Sequence, residues 1–195
     1  MPTNGYTSVA KIHSLLRISS TDVLDDGFID DFITQSRRII DGETRRTFYA
    51  RTETHYYNKP HGASLMIYDD DLLTVTTLTN GNGVVITSGQ YKLFPLNVSP
   101  KWEIKLLGSS GITWESSTAD DDEAAITLVG TWGFAATAPA DIEAACQDIV
   151  VAAYHKRFGE NTTGIATVTA AGVVLTPKDF PESAWKTIKR YERLI

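Results

Sequence analysis

The sequence has one cysteine, Cys146, in 195 residues, so a single chain can form neither a disulfide framework nor a cysteine-ligated metal cluster. It also has no apolar run close to the roughly 20 residues that a membrane-spanning helix needs. Residues 1–5 lack the basic start and the apolar stretch of a signal peptide. These absences predict a protein that is made in the cytoplasm and has no membrane partner.

An excess of basic residues is also missing, because the net charge is −6 and residues 54–133 hold only 4 basic but 9 acidic side chains. Proteins that bind nucleic acid tightly use a surplus of Lys and Arg to displace counterions from phosphates. The sequence therefore predicts no tight, sequence-independent binding to DNA. An acidic surface would instead repel phosphates and let DNA slide past.

The residues that carry catalysis are present but are not arranged for it. None of the histidines His13, His55, His61 and His155 has a second histidine at metal-ligand spacing. Cys146 and His155 are nine residues apart on one predicted helix, roughly 13 Å at 1.5 Å per residue, which is too far for proton transfer. We therefore predict no catalytic residue, no cofactor, no metal ligand and no enzymatic activity.

Three acidic clusters, at residues 22–26, 69–71 and 120–123, suggest cation binding at first sight. Aligning Asp22 with the start of an EF-hand loop puts Leu24 and Ile33 where carboxylates are required, so that match fails. We interpret the first cluster as negative charge at a helix N-terminus. The other two are predicted to be solvated loop tips between strands.

The two ends of the sequence show the apolar spacing of amphipathic helices, which are predicted near residues 8–17, 25–47, 139–158 and 181–193. Ser8 is a candidate N-cap for the first of them. The second begins with acidic and ends with basic side chains, which suits the helix dipole. We expect the second and third helices to pack on each other, through Phe28, Phe32, Ile33 and Ile40 on one side and Ile142, Cys146, Ile149 and Val150 on the other.

Between these helices the apolar spacing changes to two, which is typical of strands. The candidate strands are Glu53–Tyr57, Leu65–Ile67, Leu72–Thr79, Val84–Thr87, Gln90–Phe94, Trp102–Leu107 and Ala125–Thr131. The repeated Asn-Gly at residues 80–83 predicts a hairpin. The predicted fold class is α+β: a small helical bundle formed by residues 1–53 and 134–195, with an inserted antiparallel β-sandwich or barrel-like module at residues 54–133.

Aromatic side chains are concentrated in this β module, at Tyr56, Tyr57, Tyr91, Trp102, Trp114, Trp132 and Phe134. They are expected to fill a small sandwich core, because β-propensity alone favours such residues in strands. Stacking on bases or sugars is the alternative interpretation.

The order of several short motifs resembles that of the head–tail connector proteins of long-tailed bacteriophages, also called adaptor or head-completion proteins. That family typically ends its first helix with Leu-Arg-Ile/Val-Asp and its second with Thr-Gly-Arg-x-Phe. Here the corresponding segments are residues 15–19, with Ser19 in place of the Asp, and residues 44–48, with Arg45 in place of the Gly. The downstream segments that resemble the family are residues 90–93 (x-Tyr-x-Leu), 130–134 (Gly-x-Trp-Gly-Phe), 138–142 with its proline, and 190–194 with its Tyr-x-Arg-Leu ending.

This resemblance covers nearly the whole chain and implies a structural virion protein. Such a protein forms a twelvefold ring below the portal at the capsid vertex, extends the DNA channel, and joins the filled head to the tail. The implied partners are the portal protein, tail or stopper proteins, further copies of the chain, and genomic DNA that passes without sequence-specific contact. The implied location is the neck of the virion.

A partner-binding surface is predicted on the last helix, where Trp185, Ile188, Tyr191 and Leu194 recur at helical spacing. A helix this short is marginal by itself and needs a surface to pack on. It either docks onto its own bundle or, together with the uncharged residues 161–177, reaches the portal or a neighbouring subunit.

A function of a different class is that of a β-sandwich binding module of a virion, which would bind carbohydrate or a host surface. This alternative predicts exposed aromatic side chains in the β module and no ring.

Overall fold

The computed structural model describes residues 5–117, 121–158 and 181–193. The helices are α1 (Val9–Leu16), α2 (Asp26–Thr44), α3 (Ala140–Phe158) and α4 (Glu182–Arg190), and the strands are β1 (Arg51–Tyr57), β2 (Ser64–Met66), β3 (Leu72–Thr79), β4 (Tyr91–Phe94), β5 (Glu103–Leu106) and β6 (Ile126–Trp132). The predicted α+β class is therefore confirmed.

The chain divides into two compact units, a helical unit of residues 1–45 with 138–194 and a β unit of residues 46–137. This β unit begins before residue 54 and ends after residue 133, the limits given by the sequence pattern. The reason is that residues outside the strands still pair within the unit. One example is the Phe134 amide, which donates to the Thr47 carbonyl at 2.7 Å.

In the helical unit, hydrogen bonds close both ends of α1. The Ser8 hydroxyl accepts the Lys11 amide at 3.4 Å, which confirms the predicted N-cap. Arg17 ends α1 in the left-handed conformation with a φ of 58°, and its amide is bonded to the last turn.

The predicted packing of α2 on α3 is confirmed. The buried stripe of α2 comprises Ile29, Ile33, Ser36, Ile40 and Thr44, and that of α3 comprises Ile142, Ala145, Cys146, Ile149 and Val150. Phe28 is 39% exposed, but its ring does contact α3: its centroid lies 5.5 Å from that of Phe158 and 4.4 Å from the Arg157 guanidinium. Phe32 is half-buried. These phenylalanines lie on the stripe beside the isoleucines, so the aliphatic stripe forms the buried part of the contact and Phe28 lies at its exposed edge.

The β unit contains two three-stranded antiparallel sheets, with strand orders β1-β6-β3 and β2-β5-β4. Neither sheet closes into a barrel among the strands that the structure describes. Apolar residues from both sheets form one buried cluster that includes Leu72, Ile104, Leu128 and Trp132, each fully buried. The arrangement is that of a small sandwich.

The predicted strand at Val84–Thr87 is not formed, although its hairpin direction is present as a single bridge between Thr79 and Val85. The backbone still pairs there, since the Asn80 amide donates to the Val84 carbonyl at 2.9 Å and the Ile86 amide to the Leu78 carbonyl at 2.8 Å. The Asn80 side chain donates its amide nitrogen to the Thr113 carbonyl at 2.9 Å, and its oxygen accepts the Glu115 amide at 2.9 Å. This side chain ties the turn to the loop at residues 112–117. Val84 and Val85 are left exposed.

Two glycines explain why the segment at residues 130–134 has its particular composition. A Cβ on Gly130 would lie 2.5 Å from the Thr74 carbonyl oxygen, and one on Gly133 would lie 2.3 Å from that of Tyr49. Gly133 also has a φ of +133°, which L side chains rarely adopt. Between them, Trp132 is fully buried and donates its indole N–H to the Glu53 carbonyl at 3.1 Å. Residues 130–134 therefore have this composition because they pack closely within the β unit.

Candidate functional site

Helix α4 packs on α2 and α3 within the helical unit. Ala184 and Ile188 are each 1% exposed and face the unit's interior. The Arg193 amide donates to the Thr44 carbonyl at 2.9 Å, and Ser183 contacts Asp148 at 3.2 Å. Of the two arrangements considered from the sequence, the described part of α4 therefore has the one in which the helix docks onto its own bundle.

The four predicted partner-binding residues occupy different environments. Ile188 is covered by the chain's own helices, whereas Trp185 is 37% exposed with the Lys189 ammonium 5.1 Å above its ring. The Tyr191 hydroxyl donates to both oxygens of Asp141, at 2.8 and 2.9 Å. Burial, together with this hydrogen bond, raises the pKa of Tyr191. Leu194 lies outside the described residues.

An open groove runs between α2 and α3, next to the part that α4 covers. We call it the α2–α3 groove; its lining residues are Phe32, Gln35, Ser36, Ile39, Ile149, Ala152, Ala153 and Lys156, and its volume is about 270 Å³. This surface was not among those predicted from the sequence. The signal was present in the apolar stripe of Phe28, Phe32 and Ile39, which lies beside the stripe that packs.

A network of ionisable side chains lines β1 and the loop before β3. Arg51 pairs with Glu53 at 2.8 Å and with Asp70, while His55 Nδ1 lies 2.6 Å from Asp69 Oδ2. Possible ligand atoms of Glu53, His55 and Asp70 lie within 4.8 Å of one another, a donor set that can bind a divalent cation. The Arg51 guanidinium already pairs with both carboxylates, so a cation there would have to compete with it.

The interpretation of residues 69–71 as a solvated tip is wrong for Asp70 and Asp71, which are 9% and 3% exposed. Their burial is possible because Arg51 pairs with Asp70, and Arg46 donates to both oxygens of Asp71 at 2.8 Å. Burial nevertheless raises the pKa of Asp70, although the hydrogen bond from the Asp71 amide and the positive charge of Arg51 both act to lower it.

The remaining acidic clusters also have local partners. Tyr154 donates its hydroxyl to Asp25 at 2.6 Å, and this bond, with some burial, raises the pKa of Tyr154 to about 12. In the last cluster, Asp122 accepts the Ser116 hydroxyl at 2.7 Å and lies 3.4 Å from Lys59 Nζ. Asp120 lies outside the described residues.

The cysteine and the histidines are placed as structural groups. Cys146 is fully buried, and burial, with the nearby Glu143 and Asp41, raises its thiol pKa to about 12. His13 is 6% exposed with Nε2 2.7 Å from Asp26 Oδ1, whereas His61 is exposed. The described residues hold no nucleophile in hydrogen-bond contact with one of these histidines.

The aromatic side chains of the β unit divide between core and surface. Tyr91, Trp114 and Trp132 are buried, as the core interpretation predicts, whereas Trp102 is 52% and Tyr56 is 65% exposed.

Among the described residues, no helix is both long enough and apolar enough to span a bilayer.

No protein-family model matches this chain, and no curated protein does. Solved structures with a similar fold come from gene transfer agent (GTA) particles. A chain in the neck of the empty particle, computed with C6 symmetry, has a TM-score of 0.61 at 18% identity and covers 97% of this chain and 91% of its own. A chain in the neck of the native particle, computed with C12 symmetry, has a TM-score of 0.60 at 16% identity, with coverages of 96% and 88%.

A chain in the virion of the native particle has a TM-score of 0.58 at 18% identity, covering 100% of this chain and 97% of its own. At these identities the similarity establishes the fold. The predicted resemblance to neck-type, head–tail connector proteins is therefore confirmed at the level of the fold, over both units of the chain.

Proposed function

We propose that this protein is a structural component of a virion neck. It forms a ring below the portal, extends the DNA channel, and joins the filled head to the tail. The observation that carries the proposal is the fold similarity over 97% of the chain to a protein of a GTA neck. Since the similarity covers 97% of this chain, it extends over both of its units.

The symmetry of the similar assemblies supports a ring. The two neck structures were computed with C6 and C12 symmetry, in which one chain is repeated around an axis. A twelvefold ring of this chain would use a heterologous interface, where one face of each copy meets a different face of the next.

The net charge of the chain supports a role as a channel through which DNA passes without binding. A net charge of −6 gives a ring of copies a strongly negative surface, which repels the phosphates of passing DNA. The proposal includes no enzymatic activity, and it is supported by the burial of Cys146 and by the carboxylates that lie against His13 and His55.

The proposal is tested by combining the purified chain with the portal protein of the same particle. Mass photometry and electron microscopy should show a complex with twelve copies on one portal ring. Particles produced without the chain should yield DNA-filled heads and separate, unattached tails. Normal joining of heads and tails in its absence, or a chain that never associates with the portal, would contradict the proposal.

The exposed aromatic residues favour a second candidate, a virion module that binds carbohydrate or a host surface. Tyr56, Tyr68 and Trp102 are 65%, 70% and 52% exposed in the β unit, and exposed aromatic rings are suited to stacking on sugars. Replacing Trp102 by Ala should leave head–tail joining intact if the ring proposal holds. Loss of host adsorption with normal joining would favour the second candidate.

A further inference from the structure

The loop between α1 and α2 presents two apolar side chains to solvent. Leu24 is 85% exposed and Val23 is 65% exposed, and acidic Asp22 and Asp25 flank them. We call this pair the Val23–Leu24 knob. Because α1 and α2 already have their own buried faces, the fold gives no reason for apolar residues at this tip.

The knob is held in one conformation by its neighbours. The Asp22 carboxylate accepts the Leu24 amide at 3.2 Å, and the Asp26 amide donates to the Val23 carbonyl at 3.3 Å. Tyr154 of α3 fixes the base of the loop through its 2.6 Å hydrogen bond to Asp25. A surface that is already ordered loses less conformational entropy when it binds.

The α2–α3 groove has the chemistry that such a knob needs. Phe32, Ile39 and Ile149 give it apolar walls, and Lys156 adds a positive charge. Its volume of about 270 Å³ exceeds the roughly 150 Å³ of an engineered cavity that binds benzene. The groove therefore has room for aliphatic side chains, and Asp22 beside the knob matches Lys156 in charge.

The knob and the groove are different surfaces of the helical unit, because the knob lies in the loop before α2 and none of its residues lines the groove. A chain in which the donor surface differs from the acceptor surface forms head-to-tail contacts. Such contacts close into a ring when the rotation between copies allows it.

We propose that the Val23–Leu24 knob of one copy binds in the α2–α3 groove of the next copy. The inference rests on the proposed ring, and it names the contact that closes the ring. The occupant is a second copy because symmetric repetition is what the similar necks display, and because the acidic flank of the knob complements Lys156.

Disulfide trapping tests the contact directly. The double variant Leu24→Cys with Ala153→Cys should give, under mild oxidation at high protein concentration, a ladder of linked oligomers on a non-reducing gel. The native Cys146 can stay because it is buried. Either single variant should give at most linked dimers, and the wild type no ladder. An intramolecular link, or no ladder while rings form, would overturn the contact.

Substitutions give an independent test that does not depend on a new covalent bond. Leu24→Asp should reduce ring formation more than tenfold in mass photometry, since it puts a charge into an apolar groove. The matched control is Val85→Asp, at a residue 53% exposed in the β unit, which should assemble as the wild type does. Circular dichroism should show that both variants are folded.

The charge pair can be inverted as well. Asp22→Lys and Lys156→Asp should each weaken association by about two- to fivefold, and the double inversion should restore it. If rings form normally in all these variants, the contact lies elsewhere and the neck proposal still stands. If the wild type forms no ring even with the portal, the neck proposal fails and the knob contact fails with it.

Discussion

The imidazole of His55 lies flat on the indole of Trp132, with ring centroids 3.8 Å apart and an interplanar angle of 16°. Trp132 is fully buried in the sandwich core. His55 also contacts the Asp69 carboxylate, with 2.6 Å between His55 Nδ1 and Asp69 Oδ2. The pair joins the core of the β unit to the ionic network along β1. Stability of this unit should therefore depend on the charge of that network.

The pKa of Asp69 determines in which direction the stability of the β unit changes with pH. Burial alone would raise the pKa of Asp69, but hydrogen bonds from Tyr57 and His55 outweigh it and hold the pKa below the ordinary 3.8. A lowered pKa stabilises the fold above pH 3.8, and that stabilisation is lost as pH falls through the folded value. Urea unfolding between pH 7 and pH 2.5 should show this loss in the wild type and a shallower one in Asp69→Asn. An equally steep loss in the variant would contradict the assignment.

Adjacent residues of α2 should respond differently to truncation. Ile33 is 1% exposed against α3, so Ile33→Ala should cost about 2–5 kcal/mol in the free energy of unfolding. Phe32 is only half-buried at the rim of the α2–α3 groove, so Phe32→Ala should cost about 1 kcal/mol. Its larger effect should be on assembly. Chemical denaturation and mass photometry on both variants separate the two effects, and a loss above 3 kcal/mol for Phe32→Ala would place its ring in the core.

The behaviour of α2 shows how far the sequence could predict the fold. Periodicity identified the helix and its partner, because a repeat of 3.6 residues is a local property. It could not decide which of two neighbouring apolar stripes is buried, since that depends on the crossing with α3. The same limit applies to Asp70 and Asp71, whose burial depends on Arg51 and Arg46 from a segment distant in sequence.

The candidate surfaces, too, could be predicted from the sequence only in part. Trp185 and Ile188 were found from their spacing, but only the structure shows that one is partly exposed and the other buried. The α2–α3 groove involves residues from helices about a hundred positions apart, so the stripe of Phe32 and Ile39 in α2 could indicate only one of its two walls. The strand predicted at Val84–Thr87 is reduced to a single bridge, and the Asn80 side chain at its turn bonds to a loop more than thirty positions away, which no local pattern could indicate.

Gly133 should be among the least replaceable residues of the β unit. Its φ of +133° and the 2.3 Å approach of the Tyr49 carbonyl to an added Cβ both oppose a side chain. Gly133→Ala should therefore cost about 2–3 kcal/mol or more. Gly108→Ala is the matched control, because an added Cβ there meets nothing within 4 Å, and it should change stability by less than about 0.5 kcal/mol. Equal midpoints for the two variants in thermal unfolding would refute the strain argument.

Helix α4 allows partner binding to be separated from stability with two residues three positions apart. Ile188 is 1% exposed, so Ile188→Ala should destabilise the helical unit by about 2–5 kcal/mol and impair joining only by loosening α4. Trp185 is 37% exposed under Lys189, so Trp185→Ala should change stability by about 1 kcal/mol or less. If Trp185 contacts the portal or a neighbouring subunit, this variant should nevertheless bind the portal at least tenfold more weakly. Portal affinity is measured by mass photometry at a temperature where both variants are folded. Wild-type affinity in Trp185→Ala would remove this residue from the partner-binding surface and leave α4 a purely structural helix.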